Sequence, residues 1–135
     1  MKVEASLGDV VDRVSILHIK HARLADEGQR ANVQRELDAL TQAWTEQPHP
    51  AMADLTQWEQ LIEVNGSLWD VEDALREHEA RSDFSAEFVR LARSVYHLND
   101  RRAALKRQVN DALGSELIEE KSYSDYTAKQ DPTLR

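Results

Sequence analysis

The sequence has no cysteine, only four glycines and three prolines, and no uninterrupted apolar run longer than three residues. Without cysteine there is no disulfide framework, no thiolate zinc site and no catalytic thiol. So little glycine and proline leaves few turns, so the elements must be few and long, and a many-stranded β protein is disfavoured. Without a long apolar run there is no secretory h-region behind Met1-Lys2-Val3-Glu4 and no membrane-spanning helix. A cytoplasmic location and no membrane partner are expected. Positive charge is also in deficit: the net charge of −8 argues against nucleic acid as a partner.

What is present points to helices. The 41% hydrophobic and 31% charged residues suit slender helices that expose much surface, and 135 residues fit one domain. Ser6 followed by Asp9 reads as a helix start. Leu7, Val10, Val11, Val14, Leu17, His21 and Leu24 then recur at the spacing of one buried helical face. This first helix is expected to reach about Asp26, with Gly28 as its left-handed stop. Val33, Leu37, Leu40 and Trp44 give a second, shorter helix ended by Pro48 and Pro50. Ala51 to about Arg81 carries the third, with a possible kink at Gly66-Ser67, and Asp83-Phe84-Ser85 starts a fourth that ends at Gly114. The fold class is therefore all-α: an antiparallel bundle of three long helices plus one shorter helix over residues 1–114. Residues 115–135 form a partly ordered C-terminal tail, with a short turn of helix after Ser115, packed in part on the bundle.

Several polar residues interrupt the apolar pattern. If the third and fourth helices pair as a hairpin turning near Ser82, facing residue numbers sum to about 164, which sets Asn65 opposite Asn99. Glu72 and Arg102 also fall on the seam. The expectation is that Glu72 pairs with Arg76, or with Arg13 or Lys20 if the first helix packs alongside, and that Arg102 extends to the rim. Asp9, Asp12, Asp70, Glu72 and Asp73 invite a magnesium site, but solvated faces are the simpler reading. His18 and His21 share a helical face without an evident third ligand, so they are read as packing histidines. Neither a metal nor any other cofactor is expected. Arg90, Arg93, His97, Arg101, Arg102, Lys106 and Arg107 make the one concentrated basic region, around Tyr96.

Four ordered blocks carry a resemblance. They are Ser6-Leu7-Gly8-Asp9-Val10-Val11-Asp12-Arg13 running on to Ile19-Lys20, Leu68-Trp69-Asp70-Val71-Glu72-Asp73 with Arg76, Phe88 through Asn110, and Glu119-Glu120-Lys121-Ser122-Tyr123. Together they resemble a family of small bacterial all-helical proteins of unknown function. That resemblance implies a cytoplasmic bacterial protein and supplies no activity. The first helical turn, with its Asp and Arg/Lys spacing, is also similar to the all-helical chorismate mutases. Those enzymes clamp two substrate carboxylates with several Arg and Lys groups, a clamp this sequence does not place.

No catalytic residue can be assigned. The sequence favours a protein-interaction or oligomerisation module, with a protein partner or self-association. The alternative is a small-molecule-binding protein or enzyme with a polar pocket between the third and fourth helices, over which the tail folds. Its candidate residues are Asn65, Trp69, Asp73, Tyr96, Asn99, Arg102 and Lys106 on the helices, with Glu120, Lys121 and Tyr123 from the tail.

Overall fold

A computed structural model describes residues 1–127. Four helices follow one another: α1 (Leu7–Arg23), α2 (Glu27–Thr45), α3 (Trp58–Ala80) and α4 (Ala86–Leu113), with a 3₁₀ turn at Met52–Asp54 before α3. No β-strand occurs among the described residues. The all-α antiparallel bundle expected from the pattern is the fold, and no helix among the described residues is long and apolar enough to cross a membrane.

The local signals explain most boundaries. Ser6 caps α1 by accepting from the Asp9 amide at 3.2 Å. Gly114 closes α4 in the left-handed region, φ 64°, where a residue without Cβ meets no steric penalty. Gly28 is a correction: it lies in the first turn of α2 and does not stop α1. Asp26 is the cap, accepting from the Gln29 amide at 2.8 Å, and a capped first turn tolerates a glycine whose cost is about 1 kcal/mol. With that start α2 runs to 19 residues, longer than the 17 of α1. A second correction concerns Ala51–Gln57, where the 3₁₀ turn stands in place of the first turns of α3, while α3 itself passes unbroken through Gly66-Ser67. After Ser115 the chain to Thr127 is not helical, so the expected short helical turn is absent; the rest of the predicted tail lies outside the described residues.

α1 is the hub. It packs against α2 on one side and against both α3 and α4 on the other, while α3 and α4 form a long hairpin. One cluster, with Val14 and Leu17 against Val33 and Leu37, joins α1 to α2. A second, with Val11, Trp44, Leu61, Val64, Leu105 and Val109, joins α1 to the hairpin. Serving both clusters, α1 buries more than one stripe: Val11 and Ile19 are buried beside Val14 and Leu17. A single amphipathic face underestimates such a helix. Conversely Val10, Leu68, Leu75, Phe88 and Val95 fit the apolar pattern but are only half-buried.

α1 meets α4 at a close approach. The Leu7 and Gly8 amides, free at a helix start, donate to Ser115 Oγ at 3.1 Å and Asn110 Oδ1 at 2.6 Å. A Cβ on Gly8 would collide with the Lys106 carbonyl oxygen, so only glycine lets the backbones come this near.

Candidate functional site

Gly8, Asp12, Ser15 and Ile19 form a second stripe along α1, one turn apart, and all are buried. The small residues bring α3 and α4 close enough for side chains to meet across the junction. The Asp12 side chain, only 4% exposed, receives Arg102 of α4 as a bidentate partner, Nε at 3.0 Å from both oxygens and Nη2 at 2.6 Å from Oδ2. Asn65 of α3 donates to Asp12 Oδ1 and to Ser15 Oγ, both at 2.9 Å, and Ser15 Oγ donates to the Asp12 carbonyl at 2.6 Å. A buried carboxylate is tolerable only with this many donors. The Asp12 hydrogen bonds, working against burial, hold the Arg102 guanidinium pKa above its ordinary value.

One turn along α4, Lys106 continues the network outward. Its ammonium lies 2.6 Å from Asp9 Oδ1 and 2.7 Å from Glu119 Oε2. Burial disfavours the Lys106 charge, but the hydrogen bonds to Asp9 and Glu119 outweigh it and raise the pKa above the ordinary lysine range. The other oxygen of Glu119 lies 2.6 Å from Lys121 Nζ, so this carboxylate bridges two ammonium groups. Hydrogen bonds from Lys106 and then Lys121 hold its pKa down to about 2. Lys121 sits 5.8 Å from the centre of the Tyr123 ring. Further on, the Tyr126 hydroxyl donates to Asp100 and lies 3.3 Å from His97 Nδ1, with its ring 4.7 Å from that of Tyr96. The Asp100 hydrogen bond pushes the Tyr126 phenol up to about 12.

These ties lay the C-terminal segment beside α4 and leave a cleft of about 670 Å³ between them. Six of the candidate residues line it: Tyr96, Asn99, Arg102, Lys106, Lys121 and Tyr123. The other four do not. Asn65 faces α1 in the core, and Trp69, half-buried, lies under Arg23 at 5.8 Å. Asp73 is exposed, and Glu120 pairs with Arg107 at 3.2 Å outside the cleft. The pocket expected between α3 and α4 is thus corrected to one between α4 and the tail, with no α3 residue in its lining.

Two further expectations change. Asn65 and Asn99 do not face one another: Asn65 is buried against α1 and Asn99 is exposed on the cleft. Arg102 does not extend to the rim but turns in to Asp12. Of the three partners open to Glu72, the structure pairs it with Arg76 at 3.1 Å. His18 packs edge-on to Trp58 at 5.5 Å, and no three His, Cys, Asp or Glu side chains among the described residues gather to hold a metal ion. From the sequence Ser15 and Tyr126 take no site role, and Asp100, Asn110 and Glu119 are marked only as members of the blocks that carry the family resemblance. Gly8, Asp12 and Ser15 at helical spacing were the available signal, since small and polar residues in one stripe mark a close helix contact.

A second, wider groove of about 1050 Å³ runs along α1, with Leu40 and Trp44 of α2 on one side and Leu117, Ile118 and Glu119 of the tail among its lining residues. Arg102 lines both cavities, and Glu119 stands between them.

The sequence model of a family of unknown function, DUF6165, matches residues 1–134, and the chain belongs to that family. No curated protein matches the chain, and no solved structure does.

Proposed function

We propose that this member of a family of unknown function is a small-molecule-binding protein, and that its site is the cleft between α4 and the C-terminal segment. One observation carries the reading. In a chain of net charge −8, the cleft is lined by Arg102, Lys106 and Lys121 against a single carboxylate, Asp100, with three tyrosine rings among its walls. A concave site with convergent polar groups and aromatic walls is the usual form of a small-ligand pocket. These cations are held by Asp12, Asp9 and Glu119, so an anion gains them by taking the place of a carboxylate, and the rings of Tyr96, Tyr123 and Tyr126 offer faces to a flat group. Asn99, exposed on the same wall, has amide donors and an acceptor to orient a ligand. A cytoplasmic setting suits such a protein.

A thermal-shift screen of small carboxylates and phosphates tests this. A ligand that raises the melting temperature of the wild type should lose its effect in Asn99→Ala, an exposed substitution that leaves the core intact. Self-association is the second reading, favoured by Val3, Leu117 and Ile118, which are exposed on the groove along α1. A stable dimer in size-exclusion light scattering, with no ligand shift from the screen, would put that reading first.

A further inference from the structure

Glu119 holds an unusual position for a tail residue. Its two carboxylate oxygens are divided between Lys106 at 2.7 Å and Lys121 at 2.6 Å, two of the three cations that line the cleft. It reaches them from the groove side, at the wall the two cavities share. The Tyr123 ring lies against Lys121, so an oxyanion in the place of Glu119 would have an aromatic face within reach. Much of the tail's attachment runs through the same few residues: Glu119 to Lys106, Glu120 to Arg107, and Tyr126 to Asp100.

Resting on the cleft as the binding site, we infer that Glu119 is a resident stand-in for the ligand's own anion. The ligand is a ring-bearing oxyanion, a carboxylate or a phosphate monoester, that displaces Glu119 from Lys106 and Lys121. Only one carboxylate at a time can bridge the two ammonium groups at hydrogen-bond distance, so ligand and Glu119 compete. Displacement removes one of these ties and loosens the segment that follows. Binding at the cleft is thereby coupled to release of the tail, and the coupling is reciprocal. Asp9 stays on Lys106 in both states and keeps that lysine charged when Glu119 leaves.

The test is a titration of the full chain with benzoate and with phenyl phosphate, followed by amide NMR shifts and by hydrogen exchange over residues 117–127. The expected result is that Glu119→Gln binds the preferred probe at least about fivefold tighter than wild type, because the internal competitor has lost its charge. Glu116→Gln removes the same charge from an exposed position of the same segment outside the cleft, and its affinity should stay within about twofold of wild type. Lys121→Gln, an exposed change that leaves the core intact, should weaken binding about tenfold or more. Saturating probe should speed exchange at the tail amides of wild type and add little in Glu119→Gln, where the tail is already loose. Which probe wins separates a carboxylate from a phosphate ligand. Equal affinity of wild type and Glu119→Gln would overturn the stand-in role while leaving the cleft in place. Absence of saturable binding in both proteins would overturn the cleft as a site, and the stand-in with it.

Discussion

At the scale of single residues, the decisive group is Asp12. It is a buried carboxylate whose oxygens take hydrogen bonds from Arg102 and Asn65, and in the sequence only its place in the stripe with Gly8 and Ser15 sets it apart from the exposed Asp70 or Asp73. Asp12→Ala leaves the Arg102 guanidinium without its partner. It should cost about 3 kcal/mol, the low end for a broken buried pair because Arg102 still reaches solvent. Asp12→Leu combined with Arg102→Met should cost less than Asp12→Leu alone, since the pair then leaves together. Chemical denaturation of the single and double variants measures both. Additive losses would mean that the two side chains do not stabilise one another. Asn65→Leu removes two donors from the same cluster and should destabilise by about 1–3 kcal/mol. The identity of Asn65 as an interior polar residue was legible in the sequence; its partners were not.

At the scale of elements, the α3–α4 hairpin separates two properties that a sequence pattern tends to merge. Axial register was legible: Glu63 meets Arg101 at 3.6 Å and Gln57 meets Gln108 at 3.4 Å, pairs whose numbers sum to within about one of the expected value. Rotational phase was not legible, because α1 packs on both helices and turns their polar residues toward itself or away from it. Asn65 went to α1, and Asn99 to the side where the tail lies. The same crossing explains Gly8. Gly8→Ala places a methyl group against the Lys106 backbone, which cannot yield as a flexible side chain would, and it also disturbs the hydrogen bond that the residue 8 amide donates to Asn110 Oδ1. Forced separation of packed helices of this kind costs about 1–3 kcal/mol. The melting temperature should fall while helical circular dichroism at low temperature stays near wild type. An unchanged melting temperature would show that α1 and α4 are not held so closely.

For the whole molecule, the ionic chain from Asp9 through Lys106 and Glu119 to Lys121 ties the tail to the bundle and gives stability a pH dependence. The Glu119 pKa is about 2 in the folded chain against an ordinary 4.5, so its contribution is complete above pH 4.5 and is lost as the pH falls through about 2. Lys106 runs the other way. Its folded pKa lies above 10.5, so its contribution is complete below that pH and fades as the pH rises through the elevated value. The gap in melting temperature between wild type and Glu119→Gln should therefore be constant from about pH 6 to pH 9 and close in strong acid. A gap of the same size at about pH 2 would mean that the Glu119 charge does not stabilise the fold. Because Glu119 is part-exposed, the gap should also shrink in molar salt.

The sequence by itself determined the class of fold, the positions of most helix ends and the absence of cysteine chemistry. Each follows from local causes: apolar residues at helical spacing, a side chain that caps the next turn, a glycine that accepts positive φ. It also marked six of the residues that line one cleft. Tertiary structure decided the rest. It made α1 the hub, so that Asp12 and Ser15 became interior, and it set the cleft on the tail side of α4. The physical reason is that helical periodicity fixes which residues share a face, whereas which faces meet depends on a third helix supplying close approach and matching charge. Gly8 and Asp12 supply those here, one by having no side chain and the other by having its partner, Arg102, 90 residues away in the chain.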